Sequence, residues 1–187
     1  MVVYARRLIL GSASPRRRGL LEAACFEVEV RVPNADESWP NGHSLHDGTI
    51  LIAERKLDML GSIDDLAVAA DTVVVIDNER LGKPRDEEAA RQMLRKLSGR
   101  EHEVVTGFCA SRGDARRRGA VVTKVWFRSI SSTEIERYVQ SGEPFDKAGA
   151  YAIQGRAGAF IARVEGSYTN IVGLPLAEVI EALRSLE

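Results

Sequence analysis

The sequence has little of several features that would assign a function class at once. Of its 187 residues only two are cysteines, Cys25 and Cys109, and neither lies in a CxxC pair or near a histidine at metal-ligand spacing. We expect both to be buried free thiols in a reducing compartment. The three histidines, His43, His46 and His102, form no metal-binding pattern either.

Excess charge and long apolar runs are also missing. The net charge is −1 and the pI is near 6.3, which argues against a general nucleic-acid or membrane-surface binder, because such binding rests on excess Lys and Arg. No run approaches the roughly 18 apolar residues of a membrane span. The start, MVVYARRLILG, has too short an apolar stretch for a signal peptide. We therefore expect a cytoplasmic protein with no membrane partner.

Common nucleotide and hydrolase fingerprints are absent as well. The chain has no G-x-x-x-x-G-K-[ST] loop, no G-x-S-x-G elbow and no dinucleotide-binding glycine motif. It also has no internal repeat and no linker that would split it. Its composition, 44% hydrophobic and 28% charged, is that of an ordinary globular chain. We predict one domain over residues 1–187.

Hydrophobic patterning predicts alternating helices and strands. Residues 26–32 alternate between apolar and charged side chains, and residues 66–76 form a nearly continuous apolar run typical of a central strand covered on both faces. The other predicted strands are 102–111, 120–129 and 160–165, the first of these joined to the second by a turn at Gly113-Asp114. The predicted helices are 15–24, 46–60, 86–97 and 131–140, with a final one opened by residues 173–175.

The stretch LILGSASPRRRGLL, residues 8–21, predicts a strand, a small-residue turn and a helix. Ser14 suits the N-cap and Pro15 the first helical turn. Arg16, Arg17 and Arg18 follow, although cations oppose the positive end of the helix dipole at a cost of roughly 0.3–1 kcal/mol each. Arginines and free N–H groups at a helix start make an anion site, and phosphate is the usual anion. The alternative is a solvated basic patch.

Asp71 and Thr72 interrupt the apolar run of residues 66–76. A carboxylate in a buried strand is expensive unless it is paired or bound to a metal, so this position favours a catalytic or metal-binding acid. The alternative is a bend where the strand reaches the surface.

Other charged residues complete a set of candidates. Lys56 flanks the apolar stripe of its helix and either extends into solvent or reaches into a cleft. Lys83, between Gly82 and Pro84, is as well explained by a phosphate contact as by a solvated surface lysine. The remaining candidates are Lys147 and an acidic loop pair, Asp36 and Glu37. A second arginine run, residues 116–118, is expected to be solvated at a hairpin tip. Cations for phosphates and carboxylates for a divalent ion indicate metal-assisted chemistry on a phosphate ester or anhydride.

Seven motifs, in order along nearly the whole chain, resemble one family. They are SASPRR at 12–17, AADTVV at 69–74, GKP at 82–84, ML-x-x-LSG at 93–99, H-x-V-x-T-G at 102–107, SGEPFDKAGAYAIQG at 141–155 and GSYTNIVGLPL at 166–176. Together they resemble the Maf family of nucleoside triphosphate pyrophosphatases. The resemblance implies a mixed α/β fold, a twisted sheet flanked by helices in two lobes around a cleft, similar to the inosine triphosphate pyrophosphatases. It also implies hydrolysis of a nucleoside triphosphate to the monophosphate and pyrophosphate with Mg²⁺, Mn²⁺ or Co²⁺.

The same resemblance assigns roles to residues. It implies Asp71 as the catalytic proton acceptor and as a metal ligand, and Glu37 as an acid that holds the same cation. The substrate-binding residues that it implies are Ser14, Arg16, Arg17, Lys56, Thr72, Lys83 and Gln154.

The segment AYAIQG, residues 150–155, resembles the dTTP/UTP branch of this family. That branch implies that Arg16, Thr72 and Gln154 govern substrate choice. A Gln amide offers a donor beside an acceptor, which can pair with the N3–H and a carbonyl of uracil or thymine and should reject cytosine. One departure is Ala152, where the branch usually has Gly; if the position needs a positive φ, Ala would strain the loop.

The expected partner is a nucleoside triphosphate, including modified forms such as 5-methyl-UTP and pseudo-UTP, without stable nucleic-acid binding, and a homodimer is compatible with the sequence. Two alternatives stay open: an inosine/xanthosine triphosphate pyrophosphatase, and a non-catalytic nucleotide-binding regulator of cell division.

Overall fold

A computed structural model describes residues 6–61 and 64–187; the first five residues of the MVVYARRLILG segment lie outside these. The strands are β1 (Arg6–Leu10), β2 (Phe26–Val30), β3 (Leu66–Ile76), β4 (Glu79–Leu81), β5 (Glu101–Arg112), β6 (Ala115–Phe127) and β7 (Ile161–Glu165). The α-helices are α1 (Pro15–Ala23), α2 (Leu45–Asp58), α3 (Glu87–Leu97), α4 (Ser132–Gln140), α5 (Tyr168–Val172) and α6 (Leu176–Arg184). Three short 3₁₀ turns lie at Glu143–Asp146, Ala148–Ala150 and Arg156–Phe160.

The strands form one mixed seven-stranded sheet in the order β2-β1-β3-β5-β6-β7, with β4 paired to β3. β1 runs parallel to both β2 and β3, whereas β4 is antiparallel to β3 and β7 is antiparallel to β6. The mixed α/β class predicted from the sequence is therefore confirmed. None of the helices among the described residues is long and apolar enough to cross a membrane.

The chain divides into two compact units, each made of separate segments. The first contains the chain up to Thr72, Thr106–Val121 and Gly173–Glu187, and the second contains Val73–Val105 and Val122–Val172.

The core of the first unit lies on both faces of β1 and β3. Successive strand residues point to opposite faces, so Leu8, Leu10, Val68 and Ala70 pack in one cluster with α1 and α6. Their neighbours Ile9, Ala67 and Ala69 pack in another with Ala53 and Leu57 of α2. This two-sided burial is what the continuous apolar run of residues 66–76 predicted.

The core of the second unit forms between two amphipathic helices and the strands. α3 and α4 place one side each in a cluster that includes the rings of Phe127, Tyr138, Tyr151 and Phe160. α4 opens with a capping box, in which Ser131 and Glu134 are bonded reciprocally.

One side-chain prediction was wrong. Cys25 is exposed rather than buried, because it ends α1 in a left-handed turn, with φ of 66°; Cys109 is buried as expected. The arginines of residues 116–118 are exposed to solvent as expected, and they lie in the first residues of β6, directly after the hairpin turn. Arg116 and Arg118 are two residues apart, so they share a face, and they form ion pairs with Asp58 (2.6 Å) and Glu54 (2.9 Å) of α2.

Candidate active site

The turn between β1 and α1 has the predicted form. The Ser14 hydroxyl accepts a hydrogen bond from the backbone N–H of Arg17 (3.4 Å), and Pro15 is the first helical residue. The Ser12 hydroxyl accepts from the Ser14 N–H (3.2 Å). The first turn of α1 carries no acidic residue, so its positive end stays uncompensated on the helix itself, as an anion site requires.

Arg17 turns inward from this helix and is buried. Its guanidinium donates to the Gly173 carbonyl (2.7 Å), the Ser12 hydroxyl (3.0 Å) and the Thr72 hydroxyl (3.1 Å). Burial lowers the pKa of Arg17 below its usual value, and the negative charge of Asp71 opposes this shift. Arg17 therefore ties the turn, the middle of β3 and the segment before α6 together, and its charge lies close to Asp71.

Thr72 is held from two sides by this network. Its hydroxyl oxygen receives the Arg17 bond and lies 2.9 Å from the Thr106 hydroxyl oxygen of β5 and 3.4 Å from the Gly173 carbonyl oxygen. Because Thr72 follows Asp71 on β3, these contacts fix the backbone from which the Asp71 carboxylate projects.

Asp71, Lys56 and Glu37 form the second cluster of the site. The Lys56 ammonium lies 2.8 Å from an Asp71 carboxylate oxygen and 3.3 Å from a Glu37 carboxylate oxygen. The exposed fractions of the side chains are 7% for Lys56, 14% for Asp71 and 61% for Glu37. Of the two directions predicted for the Lys56 side chain, into solvent or into the protein, the second is the one observed. Breaking such a buried pair costs about 3–5 kcal/mol, so the contact with Lys56 orients the Asp71 carboxylate while solvent still reaches it.

The two carboxylates also bear on the predicted metal. No group of three or more His, Cys, Asp or Glu side chains within residues 6–61 and 64–187 is arranged to hold a metal ion. Asp71 and Glu37 nevertheless converge on one cation, the Lys56 ammonium. Mg²⁺ is commonly held by one or two carboxylates and completed by water and substrate phosphates. These residues fit an ion of that kind and do not fit an all-protein cage.

Of the remaining predicted residues, Arg16 lies at the start of α1 and the others lie in the second unit. Arg16 is half-buried in the first turn of α1. Lys83 and Gln154 are exposed and belong to the second unit, Lys83 in the loop after β4 and Gln154 in the turn before the 3₁₀ segment Arg156–Phe160. Lys147, also in that unit, bonds to the Glu143 carbonyl (2.6 Å) and the Asp146 carboxylate. It supports its own loop.

The concern about Ala152 was wrong. Among the described residues other than glycine, positive φ occurs at Cys25, Asp77, Asn78 and Ala150, and Ala152 is not one of these. Within residues 142–155, positive φ occurs at Gly142 (74°), Gly149 (69°) and Ala150 (61°). A side chain at position 152 therefore brings no backbone strain.

Sequence reasoning missed the roles of Ser12, Thr106 and Gly173. Each lies inside a quoted motif, but its partner is Arg17 or Thr72, which is distant in the sequence except in the case of Ser12. The uncharged Thr106 and Gly173 gave no electrostatic signal, and only the tertiary fold brings them to Thr72 and Arg17.

Comparison with known proteins adds a decisive observation. The family model described as Maf-like protein matches residues 7–186. The chain belongs to the Maf-like family.

Curated relatives match over most of their lengths. A protein of Anaeromyxobacter sp. is 51% identical over 185 residues, covering 96% of this chain and 89% of the relative, and one of Geotalea uraniireducens is 46% identical over 192 residues, covering 100% and 98%. Both are named dTTP/UTP pyrophosphatase. Among solved structures, a HAM1 protein from Coxiella burnetii is similar with a TM-score of 0.51 and 16% identity, over 96% of this Maf-like chain and 99% of that chain. That likeness concerns the fold.

Proposed function

We propose that this Maf-like chain hydrolyses dTTP and UTP to the nucleoside monophosphate and pyrophosphate. The proposal is carried by Asp71, a carboxylate within reach of solvent that a buried lysine orients, next to Thr72, to which Arg17 of α1 donates a hydrogen bond. The names of full-length relatives at 46–51% identity supply the substrate class.

Phosphate binding falls to the turn before α1. The uncompensated N-terminus of α1 and the Arg16 side chain bind the triphosphate electrostatically, and Lys83 supplies a further cation. The buried Arg17 contributes positive charge from the protein interior, and its hydrogen bonds orient the Ser12 and Thr72 hydroxyls. Lys56 both holds Asp71 and offers an ammonium to a phosphate oxygen.

The chemical step uses Asp71 as the proton acceptor. A water oxygen attacks the α-phosphorus, the bond from that phosphorus to the bridging oxygen of the β-phosphate breaks, and pyrophosphate leaves with the bond's electron pair. The proton lost by the water goes to the Asp71 carboxylate. Thr72 keeps that carboxylate in place through its contacts with Arg17 and Thr106.

A divalent cation, Mg²⁺, Mn²⁺ or Co²⁺, would be held by Asp71 and Glu37. Bound there, it would neutralise charge on the phosphates. We expect a chelator to abolish turnover and Glu37→Gln to raise the metal concentration needed for half-maximal rate. Asp36→Asn in the same loop is the matched control, since Asp36 bonds to Ser38. Mn²⁺ binding followed by electron paramagnetic resonance gives a readout independent of turnover.

Base selection is assigned to Gln154. Uracil and thymine both present an N3–H beside carbonyl oxygens, which pair with a Gln amide whose oxygen faces N3, whereas cytosine, with an acceptor at N3 beside an amino donor, needs the reversed amide. 5-Methyl-UTP and pseudo-UTP keep that edge, so we propose that they are substrates too and that the enzyme limits incorporation of non-standard nucleotides. We place the reaction in the cytoplasm, a proposal supported by the two free cysteines.

The test is a panel of UTP, dTTP, CTP, ITP and XTP with each metal, with products separated by ion-exchange chromatography. Monophosphate and pyrophosphate from UTP and dTTP are expected. Turnover of purine triphosphates alone would overturn the assignment of Gln154. Release of inorganic phosphate instead of pyrophosphate would place cleavage at another bond. Tight nucleotide binding with no turnover would favour the non-catalytic regulator.

A further inference from the structure

Gln154 lies in a tight turn whose geometry is fixed by backbone bonds. The Gly155 N–H donates to the Ala152 carbonyl (3.1 Å), and the Gly158 N–H donates to the Gly155 carbonyl (3.0 Å). Gln154 is exposed at this turn, so its amide direction depends on how the turn itself is held.

Glu143 holds the turn on its C-terminal side. One carboxylate oxygen accepts from the Tyr138 hydroxyl of α4 (2.9 Å), and the other accepts from the backbone N–H of Arg156 (3.2 Å). Burial, together with the bond to Glu143, raises the pKa of Tyr138, so this hydroxyl stays a proton donor. Glu143 thus links α4 to the residue two positions after Gln154.

Gly155 shows how closely the carboxylate approaches the turn. A Cβ at this position would lie 2.1 Å from one carboxylate oxygen of Glu143 and 2.8 Å from the other. Gly155 has an extended backbone, with φ of −103° and ψ of −156°, and not a positive φ. The steric conflict at position 155 therefore comes from the Glu143 carboxylate, which would have to give up its bonds to Tyr138 or Arg156 in order to move.

A second anchor lies on the N-terminal side. The Tyr151 hydroxyl is bonded to Nε2 of His102 (2.8 Å), and His102 is only 2% exposed. The Phe127 ring packs edge-on against both, at 4.9 Å from His102 and 4.8 Å from Tyr151. The Gln154 turn is consequently fixed at both ends, on one side by a packed aromatic cluster and on the other by one carboxylate.

We propose that Glu143 is a positioning residue that sets the direction of the Gln154 amide and so determines base selectivity. The inference rests on the proposed function, in which Gln154 reads the base. Glu143 does not touch the base; it acts through Gly155 and Arg156. A group that only stabilised the loop would change stability and the rates for all triphosphates alike.

The experiment compares four variants by the ratio of kcat/KM for UTP to that for CTP. Glu143→Ala removes both bonds, and we expect the ratio to fall by about tenfold or more, since small displacements of a binding group are costly. Glu143→Gln keeps the shape and one acceptor, and an intermediate ratio is expected. Gly155→Ala should lower the ratio through its clash with the carboxylate. Glu165→Ala, an exposed glutamate of β7 paired with Arg163, is the matched control and should leave the ratio unchanged.

The double variant Glu143→Ala/Gly155→Ala gives the sharpest readout. Because the clash exists only while the carboxylate is present, Gly155→Ala should cost little or nothing further in the Glu143→Ala background. Additive losses would overturn the proposal, as would an unchanged ratio in Glu143→Ala accompanied by a uniform loss of rate.

Two further measurements separate this proposal from the proposed function. Gln154→Ala tests the base reading: if it abolishes the preference for UTP while Glu143→Ala leaves it intact, the positioning role is wrong and the function stands. Amide hydrogen exchange across residues 152–158 tests the anchoring without substrate. Faster exchange in Glu143→Ala supports positioning of the turn even if Gln154→Ala shows the base reading to be wrong, and unchanged exchange overturns it.

Discussion

Arg17 has a different role from that of the arginines beside it. Arg16 is half-buried and Arg18 pairs with Glu22 at the surface (2.7 Å), whereas Arg17 is buried and gives its side-chain donors to acceptors of the protein. An arginine run in a sequence reads as one charged patch, but in a helix consecutive residues point about 100° apart. The middle arginine, Arg17, is buried in the protein, where its hydrogen bonds position the other residues of the site.

Replacement of Arg17 tests this role. Arg17→Lys keeps the charge but loses the fork geometry that serves three acceptors, so we expect the free energy of unfolding to fall by about 2–3 kcal/mol. Urea denaturation measures it. Arg18→Lys is the control and should change stability by less than about 0.5 kcal/mol. Equal effects of the two substitutions would contradict the positioning role of Arg17.

His102 predicts a pH dependence of stability. Burial lowers its pKa from 6.5 to about 4. Between these values the unfolded chain binds a proton that the folded chain does not, so stability rises with pH there and is lost as the pH falls from about 6.5 towards 4, by at most about 3 kcal/mol. Unfolding at pH 7, 6 and 5 should show a shallower decline for His102→Gln than for the wild type. Parallel declines would show that His102 is not the group responsible.

At single residues, contacts within a few positions could be predicted from the sequence, whereas contacts between distant elements could not. The N-cap of α1 was predictable because the cap and its partner are three residues apart. Whether Lys56 points outward or inward was not, because the answer depends on Asp71, fifteen residues away on another element. The exposure of Cys25 depends on one left-handed φ that its apolar neighbours conceal.

At the scale of elements, the site depends on how closely α2 lies against β5. A Cβ on Gly107 would lie 2.4 Å from the Ile50 nitrogen and 2.4 Å from the Thr49 carbonyl carbon. Those are backbone atoms in a helix and cannot move individually. The absence of a side chain at Gly107 therefore allows α2, the helix that carries Lys56, to lie this close to β5.

The corresponding substitution has a clear expectation. Gly107→Ala should lower the free energy of unfolding by about 2 kcal/mol or more, because it overpacks backbone against backbone, and it should lower turnover by displacing Lys56 from Asp71. Gly19→Ala in α1 is the control. It meets no atom within 4 Å and should stabilise by about 0.5–1 kcal/mol. A neutral Gly107→Ala would contradict the close contact. Thermal and urea unfolding measure both.

The elements themselves were largely predictable from periodicity. The continuous run of β3 and the apolar stripes of α3 and α6 gave their positions to within a few residues. α5 was missed because five residues are too few for a 3.6-residue period to show. The 3₁₀ turns between residues 143 and 160 were missed because the glycines scattered through this segment predict only an irregular loop.

At the scale of the whole molecule, charge is balanced locally as well as in total. The net charge is −1, and two arginines of the run 116–118 are paired with Asp58 and Glu54. A nucleic acid would have to displace these carboxylates before it could use the arginines.

We therefore expect no retention on heparin at about 0.15 M salt, where charges are screened beyond about 8 Å. The double variant Glu54→Gln/Asp58→Asn releases Arg116 and Arg118, and it should elute at higher salt than the wild type. Strong retention of the wild type would instead support the nucleic-acid-binding alternative.

The measurement that tests the central claim most directly is pyrophosphate release from UTP by the wild type, Asp71→Asn and Asp77→Asn, with Mg²⁺ present. Asp77 ends the same strand, is exposed, and has a φ of 52° that Asn also adopts. We predict that Asp71→Asn loses about 10²–10⁴ in kcat, since general-base catalysis contributes about that factor, and that Asp77→Asn keeps the wild-type rate. An Asp71→Asn variant that is folded and turns over UTP at close to the wild-type rate would contradict the account.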